Sequence, residues 1–340
     1  MKSIIAGVTA FAVAATQFPV AQAWWDNGHM LCGEVASQLM DKADVATIKA
    51  VLSKWDNEFP NLSDLSTAAA WADQVKCKED AAYCKIENYP SFPFMDDWHY
   101  VNLPLYVNGA NWGNKEPSVD LVKDALEGNA LNVLEKSLGI FQTTKSVWAA
   151  NLALRNFLHV FSDIHQPLHT VAGISTDMPN GDRGGNNYRF MAPCDFNNLH
   201  ALWDAAAGTY SLNNWQPNID SFKPDLQKNA SALIQLLPMI YDVVDLEKYK
   251  KMSYKEFSSA VAKNNVIKNI ALDSYSFARQ VVYAGLDLKQ LGGGKIACPS
   301  KSYLDWASFV AQTRIAVGGK RLAVFMTQFA SQIRALGLDK

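Results

Sequence analysis

The feature that most restricts the fold is the spacing of apolar residues. They recur at three- and four-residue intervals over His29 to Trp55, Val119 to Leu138, Thr143 to Ser162, Leu226 to Val243, Lys268 to Leu286 and Thr313 to Leu336. This period keeps one stripe of a helix apolar, so each run predicts a helix. The connectors carry turn chemistry: Tyr89-Pro90-Ser91-Phe92-Pro93, Pro179-Asn180-Gly181-Asp182 and Leu291-Gly292-Gly293-Gly294. Strands have little support. Trp98 to Leu105 alternates, and Asn187 to Met191 suits a short hairpin. No repeat, low-complexity stretch or shift in composition divides the chain. The expected fold is mainly α, a single helical domain with few short strands and long loops. The polar stretch from Ala172 to Pro193 reads as a long loop of the sort that covers a site.

Residues 1–23 read as a signal peptide. Lys2 supplies the positive start, Ile4 to Ala15 the apolar run, and Ala21-Gln22-Ala23 the small-residue cleavage site. The run is shorter than the about 20 residues a membrane span needs. The functional domain is then 24–340, opening Trp24-Trp25, and the expected location is extracellular, with a lysosome-like or surface location left open. Secretion permits disulfides. Of Cys32, Cys77, Cys84, Cys194 and Cys298, the short-range pair Cys77–Cys84 is the first expected bridge and Cys194–Cys298 the second. Cys32, inside a helical run, reads as a buried thiol. Asn61 and Asn229 begin N-x-S sequons. The formal charge of −2 comes without a Lys/Arg cluster of the kind that makes a duplex-binding basic face. For a phosphodiester substrate, positive charge must then come largely from elsewhere, such as bound metal.

The histidines are few and keep particular company. His159 and Asp163 stand four apart in a helical run, so imidazole and carboxylate share one face and can converge on one ion. Pro167 interrupts that helix, and His169 follows in Q-P-L-H. His200 and Asp204 repeat the four-residue spacing. Asp73 lies in W-A-D, His99 follows Asp96-Asp97-Trp98, and His29 comes five residues after Trp24. Taken singly, each reads as a surface ion pair, a helix cap or a half-buried histidine. Together they are too many for one four-coordinate ion. Mixed histidine and carboxylate donors without thiolates suit zinc in a hydrolytic site.

The ordered set W-x(4)-H, W-A-D, H-Y-V-N, H-x(3)-D-x(2)-Q-P-L-H, G-G-N-N and N-L-H-x(3)-D resembles the class I zinc nucleases. This is the single-strand-specific nuclease and 3'-nucleotidase family of fungi, plants, protists and bacteria, related in fold to bacterial zinc phospholipases C. The motifs span Trp24 to Asp204, and Arg321 to Ala323 resembles the family's last helix.

The resemblance implies three zinc ions in a cleft of a mainly helical fold. One is expected on Asp73, His99, His159 and Asp163. A second is expected on the α-amine and carbonyl of Trp24 with His29, sharing Asp163, and a third on His169, His200 and Asp204. His165 matches no ligand and reads as structural or as an outer-shell group. The implied reaction is hydrolysis of single-stranded DNA and RNA to 5'-nucleotides, with removal of 3'-phosphate, by attack of a hydroxide shared between two zinc ions. Lys76, on the face of Asp73 if that helix continues, is the expected transition-state cation. Asn186 is expected to support phosphate, Tyr100 to stack a base, and Asn102 to stand where several fungal members have a base-binding aspartate. That departure leaves base preference open. The rival reading is a zinc phospholipase C; against it stand Asp204, where phospholipases tend to have glutamate, and the H-Y-V-N and G-G-N elements. A monomer without stable membrane association is expected.

Overall fold

The computed structural model describes residues 24–76, 93–107, 114–210 and 219–340. Cys77, Cys84 and the signal-peptide assignment lie outside the described residues.

Helices α1 (Asp26–Leu39), α2 (Lys42–Leu52), α3 (Leu65–Ala68) and α4 (Trp71–Gln74) lead to strand β1 (Leu103–Tyr106), then to α5 (Ala130–Thr143) and α6 (Val147–Asp163). Strand β2 (Val171–Ile174) precedes α7 (Leu199–Asp204), α8 (Lys223–Leu236), α9 (Tyr254–Lys263), α10 (Val266–Phe277) and α11 (Lys301–Leu336). The expectation of a mainly helical single domain is met. Several runs were subdivided: His29 to Trp55 breaks between α1 and α2, and Val119 to Asp124 is a 3-10 turn separate from α5. The Lys268 to Leu286 run passes from α10 into a π-helical stretch, Ala278–Val282. Asn187 to Met191 forms isolated bridges, Arg189 to Asn198 and Phe190 to Ile296, in place of a hairpin. Among the described residues, no helix is long and apolar enough to cross a membrane.

The core is an aromatic seam. Phe157 and Phe161 of α6 meet Phe325 and Phe329 of α11, with Phe141 of α5 and Phe257 of α9 packed against them. All six are fully buried, each stabilising the fold by roughly 1.5–3 kcal/mol relative to exposure. Helix α6 is therefore an interior element. Ser146 caps its start by accepting from Ala149 N at 3.2 Å. At its end, carbonyls left without intrahelical donors are taken by other helices: Ser274 Oγ donates to Ile164 O at 2.5 Å and Arg314 Nε to His165 O at 3.2 Å. The last turn of α6, where the His159 and Asp163 side chains emerge, is thus held from two directions.

The sheet is a single parallel pair, with Leu103 opposite Val171 and Tyr106 opposite Ile174. The alternation over Trp98 to Leu105 resolves into a strand only from Leu103. Its partner starts one residue before the stretch expected as loop and occupies its first three positions, because Val171 to Ile174 is wholly buried and reads as an apolar run without alternation. Parallel pairing aligns the residues that precede each strand. Val101 N donates to His169 O and His169 Nδ1 to His99 O, both at 2.8 Å. Two histidines 70 positions apart are thereby brought side by side.

Candidate metal centre

The expected ligands converge. His29 from α1, Asp73 from α4, His99 before β1, and His159 and Asp163 from α6 form one buried cluster. Asp163 is its hub. Its Oδ1 lies 3.4 Å from His29 Nε2, and its Oδ2 lies 3.1 Å from His99 Nδ1 and 3.4 Å from His159 Nε2. Asp73 sits across from it, 3.6 Å from both His99 Nδ1 and His159 Nε2. His169, His200 and Asp204 make a second cluster, with Asp204 Oδ1 3.8 Å from His169 Nε2 and Oδ2 3.2 Å from His200 Nε2. His169 Nδ1 lies 3.8 Å from Asp163 Oδ1, so the two clusters adjoin. Three donor groups are spaced to hold a metal ion: His29, Asp73 and His159; His99, His159 and Asp163; His169, His200 and Asp204.

The surroundings select the ligating form of most of the imidazoles. His159 Nδ1 donates to Ala69 O at 2.6 Å, His169 Nδ1 to His99 O at 2.8 Å and His200 Nδ1 to Gly184 O at 2.6 Å. Ser162 Oγ donates to His159 O, which leaves its oxygen to accept from His29 Nδ1. In each of these four rings Nε2 is left facing the carboxylates, the arrangement that orients metal-binding histidines. His99 is the exception, presenting Nδ1. Burial lowers the pKa of all five, to about 3 for His169 and about 4 for His200. Neutral imidazole, the form that binds metal, is therefore the form present at neutral pH.

The carboxylates divide. Burial pushes Asp163 and Asp204 well above the usual carboxylate range, with neighbouring Asp73 adding to both. Burial alone would raise Asp73 too, but Lys76 and the histidines outweigh it and hold Asp73 well below that range. His29 Nε2, Asp163 Oδ1, His169 Nε2 and Asp204 Oδ2 are buried without a hydrogen-bond partner among the described residues. Desolvated polar atoms of this kind are costly alone. Cations among them would offset that cost and favour ionised carboxylates. The donor set fits divalent metal.

Lys76 is buried beside the first cluster, its Nζ 2.6 Å from Asp73 Oδ1 and 3.3 Å from His99 Nε2. Helix α4 ends at Gln74, yet Lys76 N bonds Asp73 O at 3.2 Å and the tight turn keeps both on one side. Tyr100 is half-buried. Asn102 is buried, its amide 3.5 Å from Glu127 Oε2. Asn186 is half-buried and donates to Arg183 O at 2.8 Å. No described contact joins Tyr100, Asn102 or Asn186 side chains to the clusters. Gly184, beside Asn186, has φ +61, and a Cβ there would meet Leu168 O at 2.5 Å, so only glycine brings this backbone against the His169 turn. Trp24 buries its indole with Nε1 donating to Ser162 O at 3.1 Å, and Trp25 N donates to Asp204 O at 3.1 Å. His165 contacts none of the cluster side chains among the described residues: Nδ1 donates to Phe161 O at 2.7 Å and Nε2 faces Arg321.

Two supporting residues escaped the sequence reading. Gln166, fully buried, donates from Nε2 to Asp204 Oδ1 at 2.7 Å and accepts from Leu168 N at 2.5 Å, aiming Asp204 at His200. Ser162 orients His29. A glutamine between Asp163 and Pro167 was the available signal for the first; nothing marked the second.

Comparison with known proteins identifies the family. Residues 24–331 match the profile of the S1/P1 Nuclease family. Endonuclease 1 of Arabidopsis thaliana is 22% identical over 321 residues, 93% of this chain and 90% of that protein. Endonuclease 3 of the same plant is 27% identical over 187 residues, 54% of each chain. Nuclease S1 of Aspergillus oryzae is 24% identical over 212 residues, 59% of this chain and 63% of that protein. With its paired clusters and a match over nearly the whole described chain, the protein belongs to the S1/P1 nuclease family and is a hydrolase of that type.

Proposed function

We propose that the protein is a secreted, zinc-dependent nuclease that hydrolyses single-stranded DNA and RNA to 5'-nucleotides and removes 3'-phosphate from nucleotides. The observation that carries this reading is the convergence of five histidines and three aspartates in adjoining buried clusters without a thiolate. That donor chemistry suits zinc in hydrolytic sites. Asp73, His99, His159 and Asp163 would hold one ion; His29, Asp163 and the Trp24 α-amine and carbonyl a second; His169, His200 and Asp204 a third. Bound there, zinc supplies Lewis acidity and brings the pKa of water toward about 7.

The chain's own groups do the rest. Asp163 ties the first two groups together, and Lys76 adds positive charge where phosphate oxygens gain negative charge. Tyr100 offers a ring for an unstacked base, Asn102 lies two residues on with its amide near Glu127, and Asn186 stands in the turn next to the third group. Residues 1–23 serve as a signal peptide, in keeping with a family match that begins at Trp24. The Cys194–Cys298 disulfide also suits an oxidising compartment. Removal of the leader converts the Trp24 nitrogen from an amide to an amine able to ligate.

The test is an activity panel on single-stranded DNA, RNA, duplex DNA, 3'-AMP and phosphatidylcholine, with metal analysis. Hydrolysis of the single strands and 3'-AMP, abolished by chelator and restored by zinc, is expected. Phosphocholine release without nucleotide release would overturn the reading.

A further inference from the structure

We propose that Arg183 is a phosphate-binding residue at the edge of the His169–His200–Asp204 group, where it grips the backbone of a single-stranded substrate. The inference rests on the nuclease reading given above.

The turn that carries Arg183 is unusual. Arg183, Gly184 and Gly185 are three successive left-handed residues, with φ of 57°, 61° and 83°. Glycine adopts this conformation freely, but an arginine there is strained by its Cβ. Strain persists where the surroundings over-determine it, and it clusters at functional sites. Here the surroundings are explicit. Asp182 is fully buried and accepts from Gly173 N at 2.7 Å and Tyr283 OH at 2.6 Å. Asn187 N donates to Asp182 O at 3.1 Å, and Asn186 Nδ2 to Arg183 O at 2.8 Å. The turn is thus pinned to β2 behind and to its own far side in front.

What the turn presents is a site wall and a cation. Gly184 O is the acceptor that orients His200, at 2.6 Å, so Arg183 is the residue immediately before that contact. Its side chain is exposed. Arg155, Arg279, Arg314, Arg321 and Arg334 each bond an acceptor within the protein. Arg183 has no such partner among the described residues, and neither has Arg189, which lies beyond the turn. Tyr100 follows His99, whose carbonyl orients His169, and Arg183 precedes Gly184, whose carbonyl orients His200, so both residues adjoin the backbone that aims this group. A planar, permanently charged fork matches phosphate oxygens. In a chain of formal charge −2, a single placed cation can do what a basic face does elsewhere.

The zinc-loaded full-length mature protein is compared with Arg183→Gly, Arg183→Gln and Arg183→Lys. Binding of a non-cleavable phosphorothioate single strand is followed by fluorescence anisotropy across salt concentrations, alongside KM, kcat and thermal midpoint. Glycine relieves the backbone strain while deleting the charge. Arg183→Gly is expected to keep or raise the midpoint yet weaken binding about two- to fivefold, the size of one exposed ion pair. Its slope of log affinity against log salt should fall by about 0.7. The loss should lie mainly in KM, match that of Arg183→Gln, and be partly restored in Arg183→Lys. Wild-type affinity and slope in Arg183→Gly, with the wild type cleaving single strands, would overturn this inference alone. A wild type that neither cleaves nor binds single strands would overturn the nuclease reading with it.

Discussion

At the scale of single residues, the four-residue His/Asp spacings carried most of the information. A helix turns by slightly more than one full circle in that interval, so His159 with Asp163 and His200 with Asp204 had to share a face. The groups that aim these side chains were hidden, because most are backbone carbonyls: Ala69, His99 and Gly184. A carbonyl has no letter of its own. Asp163 offers the sharpest test, since it lies within 3.4 Å of His29, His99 and His159. Asp163→Asn keeps the volume but replaces an anionic ligand by a neutral amide. It should deplete metal from both neighbouring groups and lower activity by more than the about 10–100-fold typical of an outer-shell change. Metal content per chain, measured beside activity, decides it; full metal occupancy would reject the hub role.

At the scale of elements, helix existence was legible and helix boundaries were not. Helix α11 begins at Lys301, twelve residues before the expected Thr313. Its first turns expose Trp306 and Phe309, which spoil the apolar stripe, while Ser300 caps the true start by accepting from Tyr303 N at 3.3 Å. Its interior carries a buried ionic junction. Arg314 and Arg321 share Asp273 at 2.7 and 2.9 Å, and Arg321 also holds Asp242 at 2.6 Å. Burial alone would raise Asp273, but the two guanidiniums outweigh it and hold its carboxyl at about 2. A depressed acid stabilises the fold above its unfolded pKa, near 3.9, and that contribution is lost as pH falls from there through about 2. Asp273→Asn should therefore flatten the acid limb of stability between about pH 4 and 2. It should also cost about 3–5 kcal/mol at pH 7 by leaving buried cations under-compensated. Urea titrations at both pH values check this; an unchanged acid limb would show that other carboxylates govern it. Since Arg314 also holds His165 O, the junction bears on the end of α6 that carries the clusters.

At the scale of the whole molecule, the Cys194–Cys298 bridge closes a separation of 104 residues. It fastens the segment after Asn186 to the approach to α11, beside the hydrogen bond from Met191 N to Ile296 O at 2.9 Å. Replacing Cys298 by serine should lower stability by about 2–5 kcal/mol, as for long loops in secreted proteins. Unfolding is to be followed with metal saturated, because ligand binding to the folded state would otherwise mask the loss. An unchanged midpoint would mean the 104-residue loop is already restrained by packing. The sequence by itself determined the helical class, the family and the His and Asp residues that cluster, because side-chain spacing along a helix and the chemistry of His and Asp are local properties. It also marked the second cysteine pair. Only the tertiary structure decided how those side chains are grouped. The parallel β1–β2 pairing sets His99 beside His169, the capped end of α6 sets Asp163 among three histidines, and the left-handed turn at 183–185 sets a backbone carbonyl against His200. Each of these is a contact between segments remote in the chain, fixed by burial and hydrogen-bond satisfaction rather than by neighbouring residues.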